Sequence, residues 1–332
     1  MIWEVVVAIF AALVPAAAPD VPADTRVLHV ADKANEDGDG TRQRPFDSVQ
    51  AALRTARPGD EIVIGPGTYR EQITTVRAGT PTHPIRIRGR KATIKGEAED
   101  QDRLVSIRHD YIELRSLRFE RADKLVWLDG VTGVRLIGNT LTRAGGECLR
   151  IRNRSQGNEI VGNVIRKCGE IDFDPADGEK NGEAIYIGTA PEQRGARRPD
   201  ASSSNLIRRN RVDTPGECID IKEGATANII RGNTCRGTED PDSGAISVRG
   251  SLNVLSANTI EDSSGAGIRL GGDGLDDGVG NVVQRNTIRR TEGFGLKLTR
   301  GPQLVCGNRF EAISGGERGG DHADDLFNCE VP

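Results

Sequence analysis

A right-handed parallel β-helix, an all-β solenoid with a short capping helix at its N-terminal end, is the fold this sequence predicts, on three observations. First, an asparagine-centred phrase recurs as LIGNTL (136–141), IVGNVI (160–165), LIRRNRV (206–212), IIRGNTC (229–235), VLSANTI (254–260), VVQRNTI (282–288) and LVCGNRF (304–310). Second, its asparagines Asn139, Asn163, Asn210, Asn233, Asn258, Asn286 and Asn308 are spaced by 24, 47, 23, 25, 28 and 22 residues, a solenoid period with one long exception. Third, another phrase runs between them in fixed phase: GECLRIR, GEAIYIG, GECIDIK, SGAISVR, GAGIRLG and GFGLKLT, ending at Arg152, Gly188, Lys222, Arg249, Gly271 and Thr299. Each unit thus holds at least two short strands of alternating apolar residues between Gly and Asn turns, stacked at roughly 4.8 Å per coil. No unit leaves room for a helix, which disfavours a leucine-rich horseshoe. Stacked asparagines at a tight turn satisfy one another's amides and tolerate left-handed backbone, so this ladder reads as structural.

The repeat leaves no internal break, so residues 24–332 read as one elongated domain. At the N-terminal end, Pro45 and the helical spacing of Ala51, Ala52, Leu53 and Ala56 predict an amphipathic helix over 46–56 that covers the open end of the stack. The Gly- and Asp-rich tail, 311–332, is expected to cap the other end. Residues 1–23 are an apolar run followed by small residues, the form of a secretory signal peptide. Glu4 stands where a basic residue is usual, which leaves an uncleaved anchor as the alternative; the run is short for a stable membrane span.

Charged residues make up 28% of the chain and nearly balance, 45 basic against 49 acidic, so no global field points to nucleic acid. A secreted, extracellular monomer is expected. Six cysteines agree with an oxidising compartment and pair locally as Cys148 with Cys168, Cys218 with Cys235 and Cys306 with Cys329; buried free thiols are the alternative. Without a CxxC spacing, a zinc site is disfavoured.

Chemistry concentrates on the second phrase. Glu147, Glu183 and Glu217 occupy one phase of three successive coils, and stacked like charges call for a raised pKa, a basic neighbour or a cation. Oxygen donors without His or Cys favour Ca²⁺. Alternatively, each Glu caps a turn or pairs with Arg150 or Arg152. Strand parity turns these glutamates inward unless the preceding Gly146, Gly182 and Gly216 bend the chain. On the outward parity stand Arg150, Arg152, Tyr186, Asp220, Lys222, Ser247, Arg249, Arg269 and Lys297, a stripe suited to an acidic polysaccharide or, more plainly, a solvated charged face. The coil from Asn163 to Asn210 carries about 20 extra residues on both sides of its strand, and long loops on a regular scaffold usually serve function. They would wall a groove over Glu183, Lys222 and Arg249, with Arg194, Arg197 and Arg198 extending its positive lining.

The opening segment SVQAALRTARPGDEIVIGPGTYREQI resembles the start of many secreted β-helix carbohydrate enzymes. The stretch from Asn181 to Asn258 resembles the active-site coils of the polysaccharide lyase family that contains chondroitinase B and alginate lyases. By that resemblance Lys222 and Arg249 are catalytic, Glu217 is a calcium ligand five residues before the lysine, and Asn181 stands at the ligand asparagine. Arg150, Arg152, Tyr186, Arg269 and Lys297 are expected to bind substrate, with Asn181, Glu183, Glu217 and Glu147 around Ca²⁺. Two departures stand out: Pro215 replaces a second glutamate, and Arg249-Gly250-Ser251 lacks the family's histidine.

The expected reaction is β-elimination on a uronate polymer. A base, Lys222 with a lowered pKa, removes the C5 proton while Arg249 neutralises the carboxylate or protonates the leaving O4. His29, His83, His109 and His322 lie off the ladder, which disfavours serine or cysteine triads. The Gly-His-Gly and Arg-Ile-Lys signatures of polygalacturonase-type hydrolases and the Asp-Pro-His motif of alginate epimerases are absent. The alternative class is a noncatalytic extracellular β-helix that binds glycan or a surface partner.

Overall fold

A computed structural model describes residues 25–194 and 198–327. The chain winds through three parallel ladders. One is a ten-stranded sheet running from Ile73–Thr74 to Arg318–Gly319; the other two merge into a single twenty-stranded sheet. They merge because the strands Ile85–Lys95 and Ile112–Ala122 are long enough to bend through both, with a register shift between Arg88 and Ala92.

Register explains the core. Ile87, Leu114, Leu136, Ile160, Ile207 and Ile230 lie directly above one another, so each coil places an apolar side chain on its neighbour. All belong to one continuous buried cluster from Leu28 to Val305. Branched side chains suit such columns because they fill a pleated surface at little rotamer cost.

The asparagine ladder holds the turns. Asn163 Nδ2, for example, donates to Asn210 Oδ1 at 2.9 Å and to the Leu136 carbonyl at 3.0 Å, and the pattern repeats up to Asn308. The left-handed residue at each turn is the one before the asparagine: Gly138, Gly162, Arg209, Gly232, Ala257, Arg285 and Gly307 all have φ between 53° and 65°. A second ladder, unforeseen above, runs through Asn158, Asn205, Asn228, Asn253 and Asn281 and ends on Gln303.

The N-terminal helix spans Val49–Thr55, shorter than the predicted 46–56. Ser48 rather than Pro45 sets its start: Ser48 Oγ accepts from the Ala51 amide, while Phe46 is still engaged in a β-bridge with Val30. The Glu71 carboxylate accepts from the Val49 and Gln50 amides at 2.8 and 3.0 Å. Val49, Ala52 and Leu53 enter the core. At the other end, Arg318–Gly319 and Leu326–Phe327 continue the ladders. The predicted signal segment and Cys329 lie outside the described residues, and no helix among those described is long and apolar enough to cross a membrane.

Cys148 and Cys168 form a disulfide, and Cys306 is disulfide-bonded. The bridge expected between Cys218 and Cys235 is not present: both are buried free thiols. Cys235 sits mid-strand in register with Val212 and Ile260, so it occupies an apolar core position.

Candidate functional site

The outer face of the ten-stranded sheet aligns Trp127, Arg150, Tyr186, Asp220, Ser247, Arg269 and Lys297 on successive coils. Lys222 and Arg249 follow two residues after Asp220 and Ser247, on the same face. Over four of these coils lies a cleft of about 380 Å³, with Glu183, Glu217, Lys222, Arg249 and Arg269 in its lining.

Glu183 and Glu217 in this lining converge with Asp220, which is fully buried. Each offers one carboxylate oxygen to a set whose members lie within 4.8 Å of one another, and all three residues are buried. Glycine makes the convergence possible by close approach between coils: a Cβ on Gly216 would lie 2.5 Å from the carbonyl group of Gly182. Ser243 Oγ donates to Glu217 at 2.6 Å, but Glu183 Oε2 and Asp220 Oδ1 have no hydrogen-bond partner within the protein. Burial and the charge of Glu217 hold the Glu183 carboxyl well above the usual range; burial and Asp220 also raise that of Glu217. Three converging buried carboxylates, two of them with an unpartnered oxygen, and no His or Cys donor fit a hard divalent cation.

Membership of this cluster differs from the sequence-based expectation. Asp220, placed above only on the outward stripe, completes it. Glu147 does not join it: its carboxylate accepts from Arg150 Nη1 at 2.7 Å and lies 3.1 Å from Lys124 Nζ. Burial pushes Glu147 up, but these two cations outweigh it and lower its pKa. Asn181 lines the cleft, with Nδ2 donating to Asp172 at 3.0 Å.

Lys222 is also at variance with expectation. Its ammonium is buried and lies 2.5 Å from Asp220 Oδ2. Burial pulls its pKa down, yet Asp220, Tyr186 and Glu183 outweigh both burial and Arg249, so the pKa is raised rather than lowered. Arg249 Nη1 is 4.0 Å from Glu223 Oε1; both Glu223 oxygens, Arg249 Nε and Arg269 Nη1 lack hydrogen-bond partners within the protein. Buried polar groups in this state are set to receive a polar ligand.

Of the residues expected to touch substrate, Arg269 lines the cleft and is half-buried. Tyr186 also lines the cleft, though only 2% exposed, whereas Arg150, 4% exposed, is not part of its lining. Arg150 is held between the Tyr186 and Trp127 rings, at 3.9 and 5.4 Å from their centroids, and Arg152 stacks 5.3 Å from Trp127. Lys297 Nζ donates to the Asp242 carbonyl at 2.8 Å. These cations brace the face and its loops.

Both insertions of the long coil flank the cleft. The hairpin Phe173–Asp174 and Glu179–Lys180 is fastened by Lys180 Nζ to Asp240 and Asp242 at 2.7 and 2.8 Å. On the other side, Gln193 in the short helix Pro191–Arg194 accepts from Arg150 Nη2, and the Ala190 amide donates to Tyr186 Oη at 3.2 Å. Arg198 lines a second cleft with Arg152 and Arg154, about 340 Å³ in volume, beyond Gln193. Arg197 lies outside the described residues.

Residues 199–320 match the family described as "Right handed beta helix region". No curated protein sequence matches the chain. Among solved structures, an alginate lyase from Paenibacillus sp. str. FPU-7 is similar at 23% identity and TM-score 0.71, over 81% of this chain and 95% of that one. The pectate lyase Pel9A is similar at 14% identity and TM-score 0.67, over 89% and 79%. An endo-xylogalacturonan hydrolase from Aspergillus tubingensis is similar at 13% identity and TM-score 0.58, over 91% of both chains. At these identities the likeness is one of fold, and the chain is similar in that respect to right-handed β-helix proteins that act as lyases and as hydrolases.

Proposed function

We propose that the protein is an exported polysaccharide lyase-like enzyme that cleaves an acidic, uronate-containing glycan by β-elimination. The observation that carries this reading is the meeting of Glu183, Glu217, Lys222 and Arg249 in one cleft, with the buried Asp220 converging on the two glutamates. Fold likeness to alginate and pectate lyases supports it, and the Cys148–Cys168 disulfide supports an oxidising compartment. The helix Val49–Thr55 serves as the N-terminal cap of the stack.

Glu183, Glu217 and Asp220 would hold Ca²⁺. When bound, the ion would supply positive charge to neutralise a uronate carboxylate and take up the Asp220 charge that otherwise keeps Lys222 protonated. Lys222, neutral, takes the proton from C5; the electron pair forms the C4=C5 bond and the C4–O4 bond breaks. Arg249 faces the same space and stabilises the charge that develops on the carboxylate, with Arg269 beside it to orient the chain. The departing O4 alkoxide takes a proton from Arg249 or from solvent.

The test is the ultraviolet absorbance of the unsaturated product on alginate, chondroitin sulfate, dermatan sulfate and polygalacturonate, with calcium present. Lys222→Ala and Arg249→Ala should each lower turnover by about a hundredfold or more. Reducing ends without unsaturated product would replace the lyase reading by hydrolysis. Binding without cleavage would establish the noncatalytic glycan-binding alternative.

A further inference from the structure

The cleft does not continue in both directions along the helix axis. Its lining comes from four neighbouring coils, those of Tyr186, Lys222, Arg249 and Arg269, which span roughly 14 Å at about 4.8 Å per coil. Toward the N-terminal coils, the outward positions that would extend it are Arg150 and Trp127, and both are only 4% exposed. Arg150 is fixed on three sides, by Glu147, by the Tyr186 ring and by Gln193.

Gln193 lines both this cleft and the Arg152, Arg154 and Arg198 cleft beyond it, so it stands as the partition between them. The backbone beneath it is anchored by the Ala190 amide on Tyr186 Oη. Toward the C-terminal coils the situation differs. Arg269 and Lys297 are only half-buried, while the next outward position, Gly319, is covered by the Phe294 ring. On that side the face is accessible over Arg269 and Lys297.

We infer that the cleft is blind at its N-terminal end, so that the protein engages an acidic glycan at a chain terminus and removes short oligomers from it, leaving the rest of the polymer to run out over Arg269 toward the C-terminal coils. This rests on the acidic-glycan reading above and adds to it the form of the substrate: a chain end, not a chain interior. A volume of about 380 Å³ is at the small end of ligand sites and suits a few sugar rings.

Two measurements test it. The first uses Lys222→Ala and pentamers of alginate, chondroitin and polygalacturonate, either untagged or carrying a bulky fluorophore at the reducing or the non-reducing end. A blind cleft should reject one of the two tagged forms by about tenfold or more and accept the other, since a clash of about 1.4 kcal/mol has that effect. Equal affinity for both tagged forms would overturn the inference while leaving the acidic-glycan reading intact, and binding of none of the pentamers would remove that reading and the inference with it. The second measurement follows wild-type products at low conversion on whichever polymer is cleaved. One small product with little loss of viscosity is expected; a ladder of sizes with an early fall in viscosity would overturn the blind end alone.

Discussion

Lys222, one residue past the end of the strand Ile219–Ile221, and Asp220 within it hold their charged atoms 2.5 Å apart in a buried setting. Asp220 thus faces two demands, the ammonium on one side and Glu183 and Glu217 on the other. A cation shared among the three carboxylates would relieve their mutual repulsion.

Calcium should therefore raise the melting temperature in a concentration-dependent way, by an amount equivalent to about 2.7 kcal/mol at a hundred times its dissociation constant. Glu217→Gln and Asp220→Asn should remove most of that rise, whereas Glu147→Gln should keep it, because Glu147 belongs to Arg150 and Lys124. Thermal melts with calcium titrated into each variant check this. A calcium response lost only in Glu147→Gln would reverse the assignment of ligands.

Glu147 and Glu183 should respond to pH with opposite sign when calcium is absent. Glu183 is raised, so the folded state holds its proton more tightly; its contribution is present below the ordinary carboxyl pKa of about 4.3 and is lost as pH rises through the folded value. Glu147 is lowered, so its contribution is present above that ordinary pKa and is lost as pH falls through the folded value. Glu183→Gln should raise calcium-free stability at neutral pH and flatten its decline above the carboxyl range. Glu147→Gln should lower stability by about 3 kcal/mol, because it weakens a buried ion pair and leaves Arg150 underpaired. Chemical denaturation with a chelator, across pH, measures both.

Arg285 holds a φ of 54° at a turn where four coils use glycine, Gly138, Gly162, Gly232 and Gly307. Glycine adopts that conformation without steric penalty, so Arg285→Gly should stabilise the protein by about 1 kcal/mol. The same turn with Asn286→Ala should lose stability by several times as much, since the Asn258 side chain above and the Leu255 carbonyl would each lose a buried partner. Equilibrium unfolding of the two variants tests the pair.

Labelling of unfolded, unreduced protein should find thiols on Cys218 and Cys235 and none on Cys148 or Cys168. Mapping of the labelled peptides by mass spectrometry is the readout. Label on Cys148 and Cys168 would remove the support that their bridge lends to export.

Much of the fold was legible because a solenoid repeats its physics along the chain. Each coil needs an apolar residue above an apolar residue and an amide above an amide, so periodicity in sequence becomes register in space. The second asparagine ladder was legible too: Asn158, Asn205, Asn228, Asn253 and Asn281 each stand five residues before a member of the first.

The sequence by itself determined the parallel β-helix, the extra length of the coil around Glu183, and the phases that align Glu183 with Glu217 and Lys222 with Arg249 on successive coils. Only the tertiary structure decided which charges belong together. Parity assigns a side chain to a face, but a pairing of charges depends on a few ångströms set by glycine contacts between coils and by loops folding back. Thus Asp220 completes the carboxylate cluster while Glu147 is drawn to Arg150 and Lys124, and Arg150 is buried beneath Gln193 instead of facing solvent. Such contacts join residues from different coils, and the repeat carries no record of them because the loops that make them are the parts that do not repeat.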